Sequence, residues 1–135
     1  MTFDTVLTGT SAADTIIGTQ GRDLIFGLGG NDYLSGQNGN DCLVGGDGDD
    51  ALKGEGNDDT LVAGAGVDYA TGGFGNDRVH GGDGNDNLAG DAGNDTINGN
   101  NGNDYMAGGA DTDNCDGGAG AGDSQSACEV VANVP

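Results

Sequence analysis

The chain contains no tryptophan, three phenylalanines and three tyrosines among its 135 residues, and only 33% of it is hydrophobic. That inventory excludes an ordinary globular core built from large side chains. Positive charge is nearly as scarce, since Arg22, Lys53 and Arg78 are all the arginine and lysine present. A nucleic acid would be repelled, and binding to an anionic membrane surface is disfavoured for the same reason. No run is long and apolar enough for a transmembrane helix, so no membrane insertion is expected. The opening Met1 to Gly9, MTFDTVLTG, has neither a basic start nor an apolar run and does not read as a secretory signal peptide.

What the chain does have is glycine and acid: 31 Gly, and 23 Asp and Glu, for a formal net charge of −20. Each glycine adds roughly 0.5–1 kcal/mol, relative to alanine, to the cost of ordering regular structure. Low hydrophobicity with high net charge marks a polymer that does not collapse by itself. Something must neutralise it, and a divalent cation meets that need. The length indicates one domain.

The acids are ordered. From Gly9 to Gln125 the chain reads as thirteen consecutive nonapeptides, of which GGDGNDNLA (Gly81 to Ala89) is typical. The sixth position is aspartate in twelve: Asp14, Asp23, Asp32, Asp41, Asp50, Asp59, Asp68, Asp77, Asp86, Asp95, Asp104 and Asp113. In this register the thirteenth has Gly122 there, with Asp123 adjacent. Position eight is apolar from Ile16 to Cys115 and Ser124 in the last nonad, while positions seven and nine are mixed. The pattern predicts a tight turn over positions one to six and a short strand over seven to nine, with position eight facing inward. Two nonads make one coil. No coil can bury its own core, so each leans on its neighbours.

Stacked turns of nonads n and n+2 would bring together aspartate carboxylates and the carbonyls of glycine-rich backbone. Calcium takes six to eight such oxygens at about 2.3–2.6 Å. Zinc and copper prefer nitrogen and sulfur. Magnesium demands strict octahedral geometry and sheds water reluctantly, so this cage suits it poorly. Asp47, Asp49, Asp58, Asp83, Asp91 and Asp116 fall outside the sixth position and read as solvated surface charge.

These nonads resemble the RTX family, the hemolysin-type calcium-binding repeats. The resemblance implies an all-β fold, a right-handed parallel β-roll of about six to seven coils of two nonapeptides. It divides the chain into an N-terminal cap strand (1–8), the roll (9–125) and a C-terminal cap (126–135). It implies that the twelve sixth-position aspartates named above ligate calcium, about eight to ten ions in all. It implies a secreted, extracellular module that folds on meeting calcium and that follows an enzyme, toxin or adhesin domain. The family often ends in a paired-cysteine cap, which implies a Cys115–Cys128 disulfide; two small buried thiols are the alternative. Cys42, at outward position seven, is left unpaired. A rigid adhesion or ice-binding solenoid is the other reading, but ice binding wants a regular outward array, and position seven runs Thr15, Leu24, Tyr33, Cys42, Ala51, Thr60 without regularity.

No catalytic constellation emerges, and the chain is not expected to be an enzyme. His80, the only histidine, takes outward position nine with no nucleophile evidently placed beside it. Tyr33, Tyr69 and Tyr105 recur on one face of the roll, which strand propensity accounts for. Phe3, Thr5 and Leu7 read as one side of a cap strand. Val130, Val131 and Val134 are expected to cover the other end.

Overall fold

The computed structural model describes residues 2–132. Among these it contains fifteen β-strands: β1 (Thr5–Thr8), β2 (Thr15–Ile17), β3 (Asp23–Gly29), β4 (Tyr33–Asn38), β5 (Cys42–Asp47), β6 (Ala51–Gly56), β7 (Thr60–Ala65), β8 (Tyr69–Phe74), β9 (Arg78–Asp83), β10 (Asn87–Ala92), β11 (Thr96–Asn101), β12 (Tyr105–Ala110), β13 (Asn114–Asp116), β14 (Ser124–Ser126) and β15 (Val130–Ala132). Odd-numbered strands form one eight-stranded sheet and even-numbered strands a seven-stranded sheet, each in sequence order. Neighbours from β1 to β13 pair in parallel, eighteen residues apart: Leu43 faces Leu61, and Leu61 faces Val79. The all-β, two-sheet parallel roll is thus the observed fold, with about seven turns.

The expected division of each nonad needs correction. Most strands run six residues, from position seven through position three of the next nonad, and only positions four to six turn. Strand alternation explains the extension. In β5 the inward residues are Leu43, at position eight, and Gly45, at position one of the next nonad. Position six points inward as well, since the aspartates there are buried. One face of the chain therefore carries Asp, an aliphatic residue and Gly in succession.

The aliphatic members form the core. Ile25, Leu43, Leu61, Val79, Ile97 and Cys115 line one sheet, and Leu34, Leu52, Ala70, Leu88 and Met106 the other, all fully buried. Leu7 and Ile16 pack against this column at one end and Cys128 at the other. β1 pairs with β3, placing Leu7 opposite Ile25. Phe3 is half-buried.

At the C-terminus the nine-residue period breaks. β12 pairs with β14 at a spacing of nineteen, so that Tyr105 faces Ser124 and Met106 faces Gln125. Asp123, not Gly122, takes the sixth-position role, and Gln125, not Ser124, continues the inward column. One extra residue between Asp113 and Asp123 shifts the last turn, because the stack selects an inward carboxylate over an outward one. Cys115 and Cys128 form a disulfide, their Cα atoms 6.0 Å apart, and Cys42 is free and half-buried. Val130 and Val131 lie in β15, which pairs with β13. Val134 lies outside the described residues.

Burying a leucine contributes roughly 1.5–3 kcal/mol, and in a column one residue wide no neighbour can close a gap. Leu52→Ala is therefore expected to cost about 2–5 kcal/mol in chemical denaturation of the folded protein. Phe74→Ala, whose side chain is 75% exposed, should change stability by about 0.5 kcal/mol or less. Equal losses would contradict a single-column core.

Candidate metal centre

The sixth-position aspartates form two ladders, one at each edge of the roll. In each the backbone N–H of one aspartate donates to Oδ1 of the aspartate two nonads later. The rungs from Asp14 to Asp32, Asp23 to Asp41, Asp59 to Asp77 and Asp77 to Asp95 are each 2.8 Å long. Asp104 donates to Asp123 at 2.9 Å, and Asp113 donates to Oε2 of Glu129 at 2.7 Å. Glu129 ends one ladder although it belongs to no nonad. The sequence offers no spacing signal that would have found it.

The second carboxylate oxygen is different. Oδ2 of Asp32, Asp41, Asp50, Asp59, Asp68, Asp77, Asp86, Asp95, Asp104, Asp113 and Asp123 is buried with no hydrogen-bond partner. A buried oxygen anion left unpaired is costly, so eleven in series indicate a missing electropositive partner. Position one shows where that partner would sit. A Cβ built on Gly81 would lie 2.5 Å from Asp86 Oδ2 and 2.7 Å from the Gly99 carbonyl oxygen of the next coil. A side chain is excluded there, and the carboxylate and carbonyl oxygens converge on the same small space. The seventh nonad alone has a methyl at this position, on the buried Ala63.

The remaining oxygens come from the turn. From the third to the twelfth nonad, positions two and four are both left-handed. Glycine is the usual occupant; a Cβ on Gly48 would run into the Gly30 carbonyl oxygen. Leu28, Gln37, Glu55, Asn57, Asp91, Asn100 and Asp111 hold the same geometry at φ of 74–82°. Asn57 and Asp111, the two departures from glycine at position four between the third and twelfth nonads, thus leave the turn intact. Among the described residues no three acidic, histidine or cysteine side chains gather at one point. The donor set is one carboxylate per turn with main-chain carbonyls, an all-oxygen environment that fits a calcium ion.

A third feature was not anticipated. The side chains at position five, Asn31, Asn40, Asp49, Asp58, Asn76, Asn85, Asn94 and Asn103, accept the position-five N–H two nonads later, as in Val67 to Asp49 at 2.8 Å and Asn76 to Asp58 at 2.8 Å. This exposed ladder runs opposite in polarity to the aspartate ladder, so each turn is clamped from both sides. Asp49 and Asp58 are surface charges as expected, but they also hold backbone. The run of Asn or Asp at position five was the readable signal. Of the remaining expected residues, His80 is half-buried, with Nδ1 3.2 Å from Asn98 Nδ2, and burial depresses its pKa. Tyr33, Tyr69 and Tyr105 align across the even-numbered sheet.

Burial pushes nine of the ladder carboxyls upward. Hydrogen bonds from backbone N–H partly offset this, and neighbouring carboxylates add to it. Asp41, Asp68, Asp86 and Asp95 are raised to about 6, Asp77 to about 7 and Asp59 to about 8. Asp50, Asp104 and Asp113 are raised too.

Four copies of the RTX calcium-binding nonapeptide repeat match the chain, at residues 8–42, 35–70, 62–97 and 90–123. The chain belongs to this calcium-binding family, and its parallel β-roll is a structural, calcium-binding fold. None of the curated proteins with which it was compared matches it.

Two outcomes follow for the metal-binding turns. A carboxyl whose pKa is raised by folding stabilises the fold fully below its unfolded value and loses that contribution as pH rises through the folded one. Metal-free protein should therefore show more β circular dichroism at pH 5 than at pH 8. Calcium needs the carboxylate, so its binding releases protons. The calcium midpoint should accordingly rise as pH falls across the range from about 8 to about 6; a midpoint independent of pH would contradict the buried ladder. Separately, Gly81→Ala should cost about 1–3 kcal/mol of calcium-loaded stability by filling the cradle, and Ala63→Gly should lower the calcium midpoint. Indifference to both would exclude position one from the site.

Proposed function

We propose that this chain is a calcium-dependent folding module of a secreted protein, in which ions held between stacked turns supply the neutralisation its sequence lacks. The observation that carries this reading is the series of eleven buried, unpartnered Oδ2 atoms. Each of Asp32, Asp41, Asp50, Asp59, Asp68, Asp77, Asp86, Asp95, Asp104 and Asp113 would give Oδ2 to an ion, joined by turn carbonyls of its own and the next coil. Calcium, when bound, supplies charge neutralisation and crosslinks adjacent coils. The chain's own residues orient the carboxylates through the N–H rungs and keep side chains out of the cradle. About eight to ten ions would come close to cancelling the charge of −20.

Metal-free, the chain has little to hold it: a core one residue wide and self-repelling acid. Binding free energy then becomes folding free energy. The disulfide suits an oxidising compartment, and a calcium-poor, unfolded, acidic chain suits export through a narrow channel before folding outside. The roll would act with a covalently preceding enzyme, toxin or adhesin domain.

A calcium titration after EDTA treatment, followed by circular dichroism, tests this. Expected is a disordered spectrum without calcium, a cooperative gain of β-structure on addition, and about eight to ten ions by metal analysis. Asp77→Ala should shift the midpoint to higher calcium. A full β spectrum with a cooperative thermal transition in EDTA would end the coupling, and three or fewer ions would end the stacked-turn sites.

A further inference from the structure

The first two turns are built differently from the ten that follow. Positions two and four of nonads one and two are Thr10, Ala12, Thr19 and Gly21, and none of these is left-handed. The aspartates differ as well, for Oδ2 of Asp14 and of Asp23 is already satisfied. Asp14 Oδ2 accepts the Thr10 N–H at 2.6 Å and the Thr10 hydroxyl at 2.9 Å. Asp23 Oδ2 accepts the Thr19 N–H at 2.5 Å, and the Thr19 hydroxyl lies 3.0 Å from both carboxylate oxygens.

The threonine hydroxyl also works as an acceptor. The Ala12 N–H donates to Thr10 Oγ1 at 3.1 Å, and the Gly21 N–H to Thr19 Oγ1 at 3.1 Å. One hydroxyl thus links the carboxylate to the far side of its own turn. A hydroxyl hydrogen and an amide hydrogen compensate the carboxylate through charge-assisted bonds. A cation entering there would have to displace both donors. Both turns nevertheless send the usual rung onward, from Asp14 N–H to Asp32 and from Asp23 N–H to Asp41, each at 2.8 Å.

We propose that Thr10 and Thr19 stand in for the metal in the first coil, so that turns one and two close by hydrogen bonds alone and calcium begins at Asp32 and Asp41. This rests on calcium occupying the later turns. The first coil then serves as a metal-free end plate: it presents the register to the ion-bearing coils without needing an ion itself.

The test is the number of calcium ions bound by the full-length chain, read by native mass spectrometry and by isothermal titration. Thr19→Gly recreates the sequence GGQGRD, with glycine at positions one, two and four, and should add one ion. Thr19→Ser keeps the hydroxyl and should bind the same number as the unmodified chain. Asp23→Asn should leave the number unchanged, whereas Asp77→Asn should lower it. The proposal is overturned if Asp23→Asn loses ions as Asp77→Asn does, or if Thr19→Gly gains none. Failure of the unmodified chain to bind calcium, or of Asp77→Asn to lose any, would instead overturn the calcium reading itself.

Discussion

A carboxylate buried at nine-residue intervals is the constraint from which the rest of the structure follows. Strand alternation puts positions six, eight and one on one side of the chain, so an aspartate cannot enter this turn without facing the interior. The ladder aspartates from Asp23 to Asp113 are at most 3% exposed. From Asp32 onward, one oxygen of each is satisfied by the backbone of the coil before it. The other is left facing carbonyls of the coil after it. The carboxylate is thus shared between two coils, and each ion held by that second oxygen would tie its neighbours together. Stability in such a stack is a sum over interfaces, so the same motif repeated many times can hold a chain whose composition would otherwise leave it unfolded.

The glycines are placed by this carboxylate. Position one is glycine in every nonad but the seventh because a Cβ there would crowd the aspartate and the carbonyl opposite. Positions two and four are left-handed because the turn must reverse in three residues and aim its oxygens. Where other residues occupy these places, as Leu28, Glu55 and Asp91 do, the conformation is unchanged and the side chain is pushed to the surface. The stack imposes the turn on the residue, and the outer ladder of Asn and Asp at position five reinforces it from the solvent side.

The two ends solve different problems. At the N-terminus, threonine closes the turn and β1 covers the column with Leu7. At the C-terminus the last rungs are met by Asp123 and Glu129, out of period, and the chain is pinned by the Cys115–Cys128 bond. A parallel stack with an uncovered end would present unpaired backbone and bare core to solvent. Both ends therefore depart from the repeat where the repeat has no further partner.

The period of nine by itself determined the stacking of two nonads per coil, the inward column from Ile16 to Cys115 and the recurring sixth-position carboxylates, because each depends only on spacing and alternation along the chain. Tertiary structure decided what depends on the neighbouring coil. It extended the strands through position one, since a bare glycine can face inward as well as turn. It moved the thirteenth rung from Gly122 to Asp123, because a stack rewards the inward acid over strict spacing. It recruited Glu129 from outside the repeats, and it set Asp14 and Asp23 apart from ten look-alikes through one hydroxyl each. A pattern along the chain specifies which way a side chain points; only the coil stacked upon it specifies what that side chain meets.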